Sequence, residues 1–447
     1  MKKDLHQLAL IIAFIIGGIF NLSAQIPDST SPDALKLPNA YIVNPGSDIS
    51  IPVVKAYAIW TQIESLVNTN PDLSGGITAE LLWQDNQSLI SSVSLQGNGK
   101  TANIKITTNN NKGNAVIGVK IGGIIRYSWH IWVTDYDPES QNIKYIADGE
   151  ELFFMSMNLG ATTGSYETAD SFGLLYQFGR KDPFPGAGSI LENNYNDIGR
   201  TIYDIDNNVL SQGIKYENVV ETNNLANAIL NPLNYYSGND MNGKDWYSSN
   251  PLHNDTLWCG TAGEKGIFDP SPEGWRIPPA HKMYPNLLNE AEQNMSGYPK
   301  SGSRDFSNGL FFMTGDYGMY WSSTANSSLA YYMFLSDLLV QTKSSHYRSN
   351  GYSVRCIKDL NYGTGIGNEE LSKHRINVFS DKNTIMANAI DESCYGCLAS
   401  VYNTQGNLVA KTKIIGSHTI LASNLTTGLY IVEIAGSNKC TTKLLVK

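Results

Sequence analysis

The chain has few charged residues, few histidines and few cysteines for its 447 residues. Lysine and arginine (32) are outnumbered by aspartate and glutamate (41), which gives a formal net charge of -9. No overall positive field therefore attracts nucleic acid or anionic lipid headgroups, and we expect no nucleic-acid partner. Charged residues make up 16% of the chain, while glycine (40) and tyrosine (25) are plentiful. This balance is typical of strand-and-loop extracellular proteins.

The seven histidines are too scattered to indicate a metal site. They show no His-Glu-x-x-His pattern and no close Cys/His spacing. The sequence also lacks Gly-x-Ser-x-Gly, and no serine or cysteine is tied to a histidine by spacing. We therefore expect no metal, no cofactor and no catalytic residue. A carboxylate pair for glycoside hydrolysis stays open, because the separation of two carboxylates is set by the fold.

One long apolar run is present, and it is short for a membrane span. Leu8 to Phe20 contains 13 residues, whereas a helix needs about 20 to cross a bilayer. Lys2 and Lys3 precede this run and a small-residue segment ending at Ala24 follows it. These features predict a cleavable signal peptide over residues 1–24, with a buried N-terminal helix as the alternative. The mature chain is expected to have no transmembrane segment.

Residues 25–38 are rich in Pro, Ser and Asp and read as an exposed linker. Beyond it, residues 39–138 read as an antiparallel β-sandwich. Its strongest hairpin joins 114–121 to 124–133 through Gly122-Gly123, because two glycines tolerate the positive φ angles of a primed turn. The second strand places Tyr127, Trp129 and Ile131 on one face.

Residues 143–358 form a longer, loop-rich and aromatic region. The best helical candidate is Ala280 to Gln293. Asp204-Ile-Asp206-Asn-Asn208 begins like a calcium loop, but Val209 and Lys215 stand where that loop needs Gly and Glu, so we predict a hairpin turn. Arg180-Lys181-Asp182 reads as a structural ion-pair turn rather than a ligand site.

Several blocks in this region resemble the FISUMP, or major paralogous, domain of exported Bacteroidetes-type and fibrobacterial proteins. The blocks are Asn158-Leu-Gly-Ala161, Gly173 to Gly186, Pro272-Glu-Gly-Trp-Arg-Ile-Pro278, Tyr320-Trp-Ser-Ser323 and Gly351-Tyr-Ser-Val-Arg-Cys356. They occur in the family order. The resemblance implies a C-type-lectin-like α+β fold for residues 143–358. The calcium-dependent sugar site of C-type lectins is not carried over, because Glu-Pro-Asn, Gln-Pro-Asp and Trp-Asn-Asp are all missing.

One position departs from the family pattern. The family usually pairs a Cys before Pro-x-Gly-Trp with the Cys that ends Val-Arg-Cys, and here the first position is Ser271. Cys356 thus lacks its usual partner, and Cys259 is the replacement that we suggest. The alternative is two unpaired thiols, since Cα spacing cannot be read from a sequence.

Residues 359–372 read as a second linker, and residues 373–447 as a small β-sandwich. Val401 to Val409, Gly428 to Val432 and Lys443 to Lys447 resemble the type A C-terminal sorting domain of type IX secretion. That resemblance implies export and attachment outside the outer membrane. Cys394-Tyr-Gly-Cys397 is a lone C-x-x-C in this region, and we expect one of its thiols to pair with Cys440.

Exposed aromatic residues are the best candidates in this sequence for contact with a ligand. A cluster of tyrosines late in the region 143–358 could stack on sugar rings, or its rings could pack in the core. Its members are Tyr317, Tyr320, Tyr331, Tyr332, Tyr347 and Tyr352.

The sequence as a whole indicates a mainly β protein with an α+β centre. We expect a non-catalytic surface protein that binds glycan or extracellular protein. Residues 41–46, 114–119 and 129–135 resemble the β-domain that often precedes FISUMP domains in surface and fimbria-related proteins, so other surface or fimbrial subunits are expected partners. The alternatives are a carbohydrate-active hydrolase and a structural surface or pilus component.

Overall fold

The structure, a computed structural model, is mainly β, as predicted, with 43% strand and 10% helix. It describes residues 26–147, 150–165, 168–189, 199–210, 214–221, 223–238, 244–249, 253–283, 297–360, 376–381, 383–389, 395–403, 407–416, 418–435 and 439–446. The predicted signal peptide (1–24) and most of the second linker (361–372) lie outside these residues. None of the described helices has the length and apolar character needed to cross a membrane.

The first region is a two-sheet sandwich with helices at one side. Its elements are α1 (Pro32–Lys36), β1 (Ala40–Val43), β2 (Asp48–Pro52), α2 (Val54–Gln62), α3 (Glu64–Val67), β3 (Ile77–Gln84), β4 (Ile90–Gln96), β5 (Asn103–Thr108), β6 (Gly113–Ile121) and β7 (Ile124–Val133). One sheet has the order β1-β7-β6-β3, with β1 parallel to β7, and the other has the order β2-β5-β4. Ile51 and Ile104 from one sheet and Ile117 and Trp129 from the other pack in one core.

The predicted β6–β7 hairpin is confirmed. Ile121 pairs with Ile124, and Gly122 and Gly123 between them have φ angles of 62° and 81°. Both turn positions therefore need the left-handed conformation that glycine adopts without steric cost.

The predicted first linker is partly folded rather than an exposed tether. Ser31 caps α1 by accepting a hydrogen bond from the backbone N–H of Asp33, at 3.2 Å. Ala34 of α1 is fully buried against Val54 and Ala58 of α2. A short apolar face is enough to dock this segment on the sandwich.

Strand β7 is buried on both faces, which joins the first region to the middle one. Its sandwich face carries Trp129, which shares a core with Leu225 and Trp246 of the middle region. On the opposite face Trp132 packs in a second core with Trp321. The two regions are therefore fused through continuous packing.

The middle region is built from short strands separated by long loops. Its elements are β8 (Asn142–Ala147), β9 (Glu150–Met155), β10 (Leu175–Gln177), β11 (Lys215–Asn218), α4 (Leu225–Leu230), β12 (Asn234–Ser237), β13 (Trp275–Arg276), β14 (Ser303–Arg304), β15 (Phe311–Phe312), β16 (Gly318–Asn326), β17 (Leu329–Leu335), β18 (Val340–Tyr347), β19 (Gly351–Ser353) and β20 (Ile357–Lys358). The main sheet has the order β15-β14-β19-β16-β17-β18, and β10 also pairs with β19. A second sheet has the order β13-β20-β9-β8, and β11 pairs with β12.

Of the predicted helix at 280–293, the described residues 280–283 contain a 3-10 turn over Ala280–Lys282. The rest of that prediction, residues 284–293, lies outside the described residues. Pro278 and Pro279 precede the turn, and proline fixes the φ angle of this entry segment.

The C-terminal region is a small β-structure with its own apolar core. Its strands are β21 (Ile376–Asp381), β22 (Thr384–Ala389), β23 (Leu398–Asn403), β24 (Leu408–Lys413), β25 (His418–Ala422), β26 (Gly428–Ala435) and β27 (Lys439–Val446). They form sheets of order β21-β22-β25 and β24-β23-β26-β27. Val401, Leu421 and Val432 lie in the shared core between them.

Candidate functional site

Two of the six predicted ligand tyrosines are core residues. Tyr320 is fully buried, donates its hydroxyl to the carbonyl of Pro299 at 2.6 Å and accepts from Asn158 Nδ2 at 3.2 Å. Burial raises the pKa of Tyr320 to about 12. Tyr352 is 2% exposed and stacks on Trp321 with ring centroids 4.3 Å apart. The expectation of an exposed ring does not hold for either, because strand pairing places both inside the main sheet's core.

The other tyrosines do not share one face. Tyr331 and Tyr332 are neighbours in β17, and successive side chains of a strand point to opposite faces. Tyr332 packs toward the core, 5.0 Å from the Tyr352 ring. Tyr331 lies on the other face, with Lys343 Nζ 5.1 Å from its ring centroid. Tyr317 is half-buried and contacts Phe334 instead.

A continuous row of aromatic rings leads from the core to the surface. We call it the aromatic row, and its members in order are Trp321, Tyr352, Tyr332, His346, Tyr347 and Phe306. Trp321 is fully buried, whereas Tyr347 and Phe306 at the other end are half-buried and meet edge to face at 4.8 Å. The row therefore offers partly open rings that are held in place by the core.

Polar groups fix the outer end of the row. Asn350 Nδ2 donates to His346 Nδ1 at 2.6 Å and to the carbonyl of Tyr347 at 3.1 Å. Its Oδ1 accepts from the backbone N–H of Phe306 at 3.2 Å. Burial lowers the pKa of His346, which favours the neutral ring that accepts from Asn350. A rigid aromatic surface with adjacent polar groups is suited to a sugar ring or an aromatic peptide side chain.

Sequence reasoning missed His346, Phe306 and Asn350. Asn350 and Phe306 are 44 residues apart and meet because β14 pairs with β19, where Arg304 lies opposite Gly351. The sequence feature that could have indicated His346 is its position directly before Tyr347, one of the six tyrosines already named.

A polar cavity of about 340 Å³ lies where the first and middle regions meet. Its described lining is Asp85, Gly188, Ser189, Gly199, Arg200, Thr201 and Tyr203. Arg200 Nη2 contacts Asp170 at 2.5 Å. Asp85 accepts hydrogen bonds from the backbone N–H and Nδ2 of Asn114, at 2.6 and 2.8 Å. Burial raises the pKa of Asp85, although these hydrogen bonds and the nearby Arg200 oppose the shift.

The predicted hairpin turn at Asp204 is confirmed. Tyr203 and Val209 form an antiparallel bridge across it, and Asp204 accepts from the backbone N–H groups of Asp206 and Asn208. Hydrogen bonds from Asn208 lower the pKa of Asp204. Within the described residues, no group of three or more His, Cys, Asp or Glu side chains could hold a metal ion.

The Arg180-Lys181-Asp182 turn contains an ion pair, as expected, but it is buried, whereas the expectation was based on the behaviour of surface charges. Lys181 Nζ contacts Asp182 at 2.6 Å, and Ser128 of β7 donates its hydroxyl to the same carboxylate at 2.6 Å. Arg180 donates to the carbonyl of Asn234 at 2.6 Å. These contacts tie the middle region to the first.

The suggested disulfide between Cys259 and Cys356 is absent, and both thiols are free. Cys356 is fully buried and donates to Ser271 Oγ at 3.1 Å, and burial raises its pKa to about 12. Cys259 lies instead beside Arg276, with 3.5 Å between Sγ and Nη2. The alternative of two unpaired thiols therefore holds for this pair.

The other thiol pairing stays a prediction. Cys394 lies outside the described residues, and the side chain of Cys440 is not among the described ones.

Similarity to known proteins is confined to parts of the chain. No curated protein matches it. An immunoglobulin-like β-sandwich protein of the DUF3244 family from Bacteroides vulgatus is similar at 17% identity over 17% of this chain and 88% of that one, with a TM-score of 0.16. PorZ, a surface component of the type IX secretion system of Porphyromonas gingivalis, is similar at 9% identity over 32% of this chain, with a TM-score of 0.15. The chain spans about a quarter of PorZ (26%).

The C-terminal region has a family match. Residues 379–447 match the secretion system C-terminal sorting domain. The resemblance of Val401 to Val409, Gly428 to Val432 and Lys443 to Lys447 to a type IX secretion sorting domain is therefore confirmed. The chain thus carries a type IX secretion sorting domain at its C-terminal end, which indicates export and attachment at the cell surface.

Proposed function

We propose that this protein is a non-catalytic binding or adhesion protein of the cell surface, acting outside the outer membrane. Its middle region would recognise glycan or extracellular protein through the outer end of the aromatic row. The observation that carries this proposal is a set of half-buried rings, Tyr347 and Phe306, anchored to buried Trp321. Aromatic side chains with little rotational freedom give large contact area at low entropic cost.

Contacts between the sequence blocks that resemble the family support a FISUMP domain with a C-type-lectin-like fold. Arg355 donates from Nε and Nη2 to Asn158 Oδ1, at 3.0 and 2.8 Å, which joins the last block to the first. Trp321 donates to the carbonyl of Tyr176, which joins the fourth block to the second. Ser271 faces Cys356, as the family's cysteine pair requires. The blocks therefore converge on one core.

The test is a binding screen of the purified secreted chain. Glycan and extracellular-protein arrays are probed with calcium and with a chelator. We expect a specific hit whose affinity falls roughly tenfold in the double variant Phe306→Ala, Tyr347→Ala, because ring contacts contribute about 0.5–1.5 kcal/mol each. Tyr57→Ala is the matched control, because Tyr57 is a half-buried tyrosine of α2 in the first region, away from the aromatic row.

Two outcomes would contradict the proposal. One is a blank on every array, which would favour a structural surface or pilus component and direct the next measurement to self-association. The other is an equal loss of binding in Tyr57→Ala, which would place the ligand away from the aromatic row.

A hydrolase is the second candidate, and the cavity at Asp85 favours it. A carboxyl whose pKa is raised by burial, in a cavity that Arg200 also lines, resembles the environment of a general acid. Polysaccharide turnover by the secreted chain, lost in Asp85→Asn and kept in Phe306→Ala, would replace the binding proposal with this one.

A further inference from the structure

Lys55 is a buried lysine without a carboxylate partner among the described ion pairs. Its side chain lies in the first turn of α2 and the residue is 1% exposed. Nζ donates to the backbone carbonyls of Leu37 and Ile267, the latter at 3.1 Å. Lys181 differs, because its Nζ contacts the carboxylate of Asp182 at 2.6 Å. A buried ammonium held only by neutral groups costs several kcal/mol, so this amine is best accommodated without its charge.

The surroundings of Lys55 reinforce the neutral form. Burial lowers its pKa well below the ordinary value, and the nearby positive charges of Lys265 and Lys181 act in the same direction. Asp269 opposes them, but its carboxylate accepts hydrogen bonds from the backbone N–H groups of Ser271 and Ile277. The N-terminal end of α2 also carries positive potential from the helix dipole. A neutral amine has two hydrogens, and the two carbonyls account for both, which leaves a free lone pair.

The side-chain amide of Asn39 lies beside this amine. Asn39 is 2% exposed, and its Nδ2 donates to the carbonyls of Ile267 and Asp269, each at 2.8 Å. Lys55 Nζ and Asn39 Nδ2 therefore contact the same oxygen atom, that of Ile267. This shared acceptor brings a nucleophilic nitrogen next to a carboxamide in a site without bulk water.

Tyr127 polarises the carbonyl of that carboxamide. Its hydroxyl donates to Asn39 Oδ1 at 2.5 Å, and the residue is fully buried in β7. Burial raises the pKa of Tyr127 well above its ordinary value, so the phenol keeps the proton that it donates. A fixed donor at the carbonyl oxygen stabilises the negative charge that develops there during attack on the carbon.

We propose that Lys55 and Asn39 form an intramolecular isopeptide bond. The lone pair of Lys55 Nζ attacks Asn39 Cγ, and the Tyr127 hydroxyl stabilises the resulting oxyanion. One proton moves from Nζ to Nδ2, the Cγ–Nδ2 bond breaks, and ammonia leaves with its electron pair. The product is a secondary amide between the two side chains, and no oxidant or other reactant is consumed.

The bond would join the start of β1 to the first turn of α2, at the contact with residues 267–269 of the middle region. It would resist pulling of the N-terminal segment away from the sandwich. Such a staple is a modification of the fold and does not depend on any ligand of the aromatic row.

Mass spectrometry of the purified secreted chain tests the proposal. We expect proteolysis to yield a branched peptide that contains both Asn39 and Lys55 and is lighter by one ammonia than the two linear peptides together. Linear peptides with unmodified Asn39 and Lys55, and no branched species after prolonged incubation, would overturn it. This measurement needs no variant, so it decides the question even where a substitution prevents folding.

Variants then assign the roles. Lys55→Met should give only linear peptides, whereas Lys265→Met, the matched control at a neighbouring lysine, should keep the branched one. Asn39→Asp should give the same branched product with loss of water instead of ammonia. Tyr127→Phe should slow bond formation in freshly produced protein at least tenfold. A branched peptide that persists in Lys55→Met would show that another lysine forms the bond and would contradict the assignment.

Discussion

The fused first and middle regions and the C-terminal region bury very different side chains. The described C-terminal core is aliphatic apart from Tyr430, and the buried polar residues there are Ser400 and Thr419. The fused regions bury many charged residues, among them Lys55, Arg126, Arg180, Lys181, Asp182, Asp245, Asp269, Arg276, Arg304, Arg348 and Arg355. An aliphatic core needs only apolar alternation along its strands, whereas each buried charge needs specific partners that lie far away in sequence.

This contrast has a physical consequence for folding. Arg304 donates to the carbonyl of Pro185, 119 residues away, and Arg355 to Asn158, 197 residues away. The fused regions can thus reach their native packing only as one unit. The C-terminal strands pair mostly with near neighbours and can form their core without the rest.

Substitution of Trp132 should have the largest effect on the fused unit. Trp132 is fully buried between the first and middle regions and donates to the carbonyl of Ala161 at 2.8 Å. Trp132→Ala should lower the free energy of unfolding by about 3–5 kcal/mol, because it opens a large cavity and orphans that carbonyl. All eight tryptophans lie between residues 60 and 321, so tryptophan fluorescence during chemical denaturation reports on this unit alone. Separate fluorescence transitions for the two regions in the unsubstituted chain would contradict the fused unit.

A cysteine placed at position 271 should strengthen the same unit. Ser271 Oγ lies 3.1 Å from Cys356 Sγ, so Ser271→Cys should form a disulfide with Cys356. The stabilisation should be about 2–4 kcal/mol and should vanish under reducing conditions. Thiol titration and denaturation with and without reductant measure both effects. Ser271→Ala is the control, and a stability of Ser271→Cys that does not change with reductant would show that residues 271 and 356 do not form a disulfide.

The same contrast explains what could be predicted from the sequence. The β6–β7 hairpin follows from two glycines between alternating runs. The sorting domain was identified by the resemblance of short sequence blocks to a known family, and such blocks are local too. For the six tyrosines, local sequence could not tell which rings are buried and which are exposed. Tyr331 and Tyr332 are adjacent, yet only the pairing of β17 with β16 and β18 decides which ring faces the core.

The contacts between buried polar side chains were the hardest to predict. Asn39 and Lys55 meet only because both donate to Ile267, which is more than 200 residues away in the chain. The packing between the first and middle regions was missed because it, too, joins residues that are far apart in the chain. Ser128 and Trp132 read as the second face of an ordinary sandwich strand, and only the structure shows that the middle region covers them. A sequence pattern predicts which face of a strand is apolar, but it does not indicate which part of the chain packs against that face.

In the C-terminal region, a core truncation should have a smaller and local effect. Val432 of β26 is fully buried, and Val432→Ala should cost about 1–3 kcal/mol. Hydrogen exchange should accelerate in β23 and β26, while tryptophan fluorescence of the fused unit stays unchanged. Leu408→Ala is the control, because Leu408 on β24 is 53% exposed. Faster exchange in β6 or β7 of Val432→Ala would contradict independent cores.

The most gradual effect concerns pH, and it again separates the two parts. Burial lowers the pKa of His130 in β7 from 6.5 to about 3, while its Nε2 contacts Asn114 Oδ1 at 2.9 Å. Between these two pH values the unfolded chain binds a proton that the folded chain does not. Acidification from pH 6.5 toward pH 3 therefore lowers the free energy of unfolding, by at most about 1.4 kcal/mol per pH unit from this group.

Removing the imidazole of His130 should make the free energy of unfolding of the fused unit less dependent on pH, without affecting the C-terminal region. His130→Gln should show a shallower loss of stability between pH 6.5 and 4 than the unsubstituted chain, when unfolding is followed by tryptophan fluorescence. His281→Gln, at an exposed position, should keep the original slope. Equal slopes in all three proteins would mean that His130 is protonated in the folded state. That result would break the argument that the fused regions exclude charge wherever no partner is supplied, on which the neutral amine of Lys55 also depends.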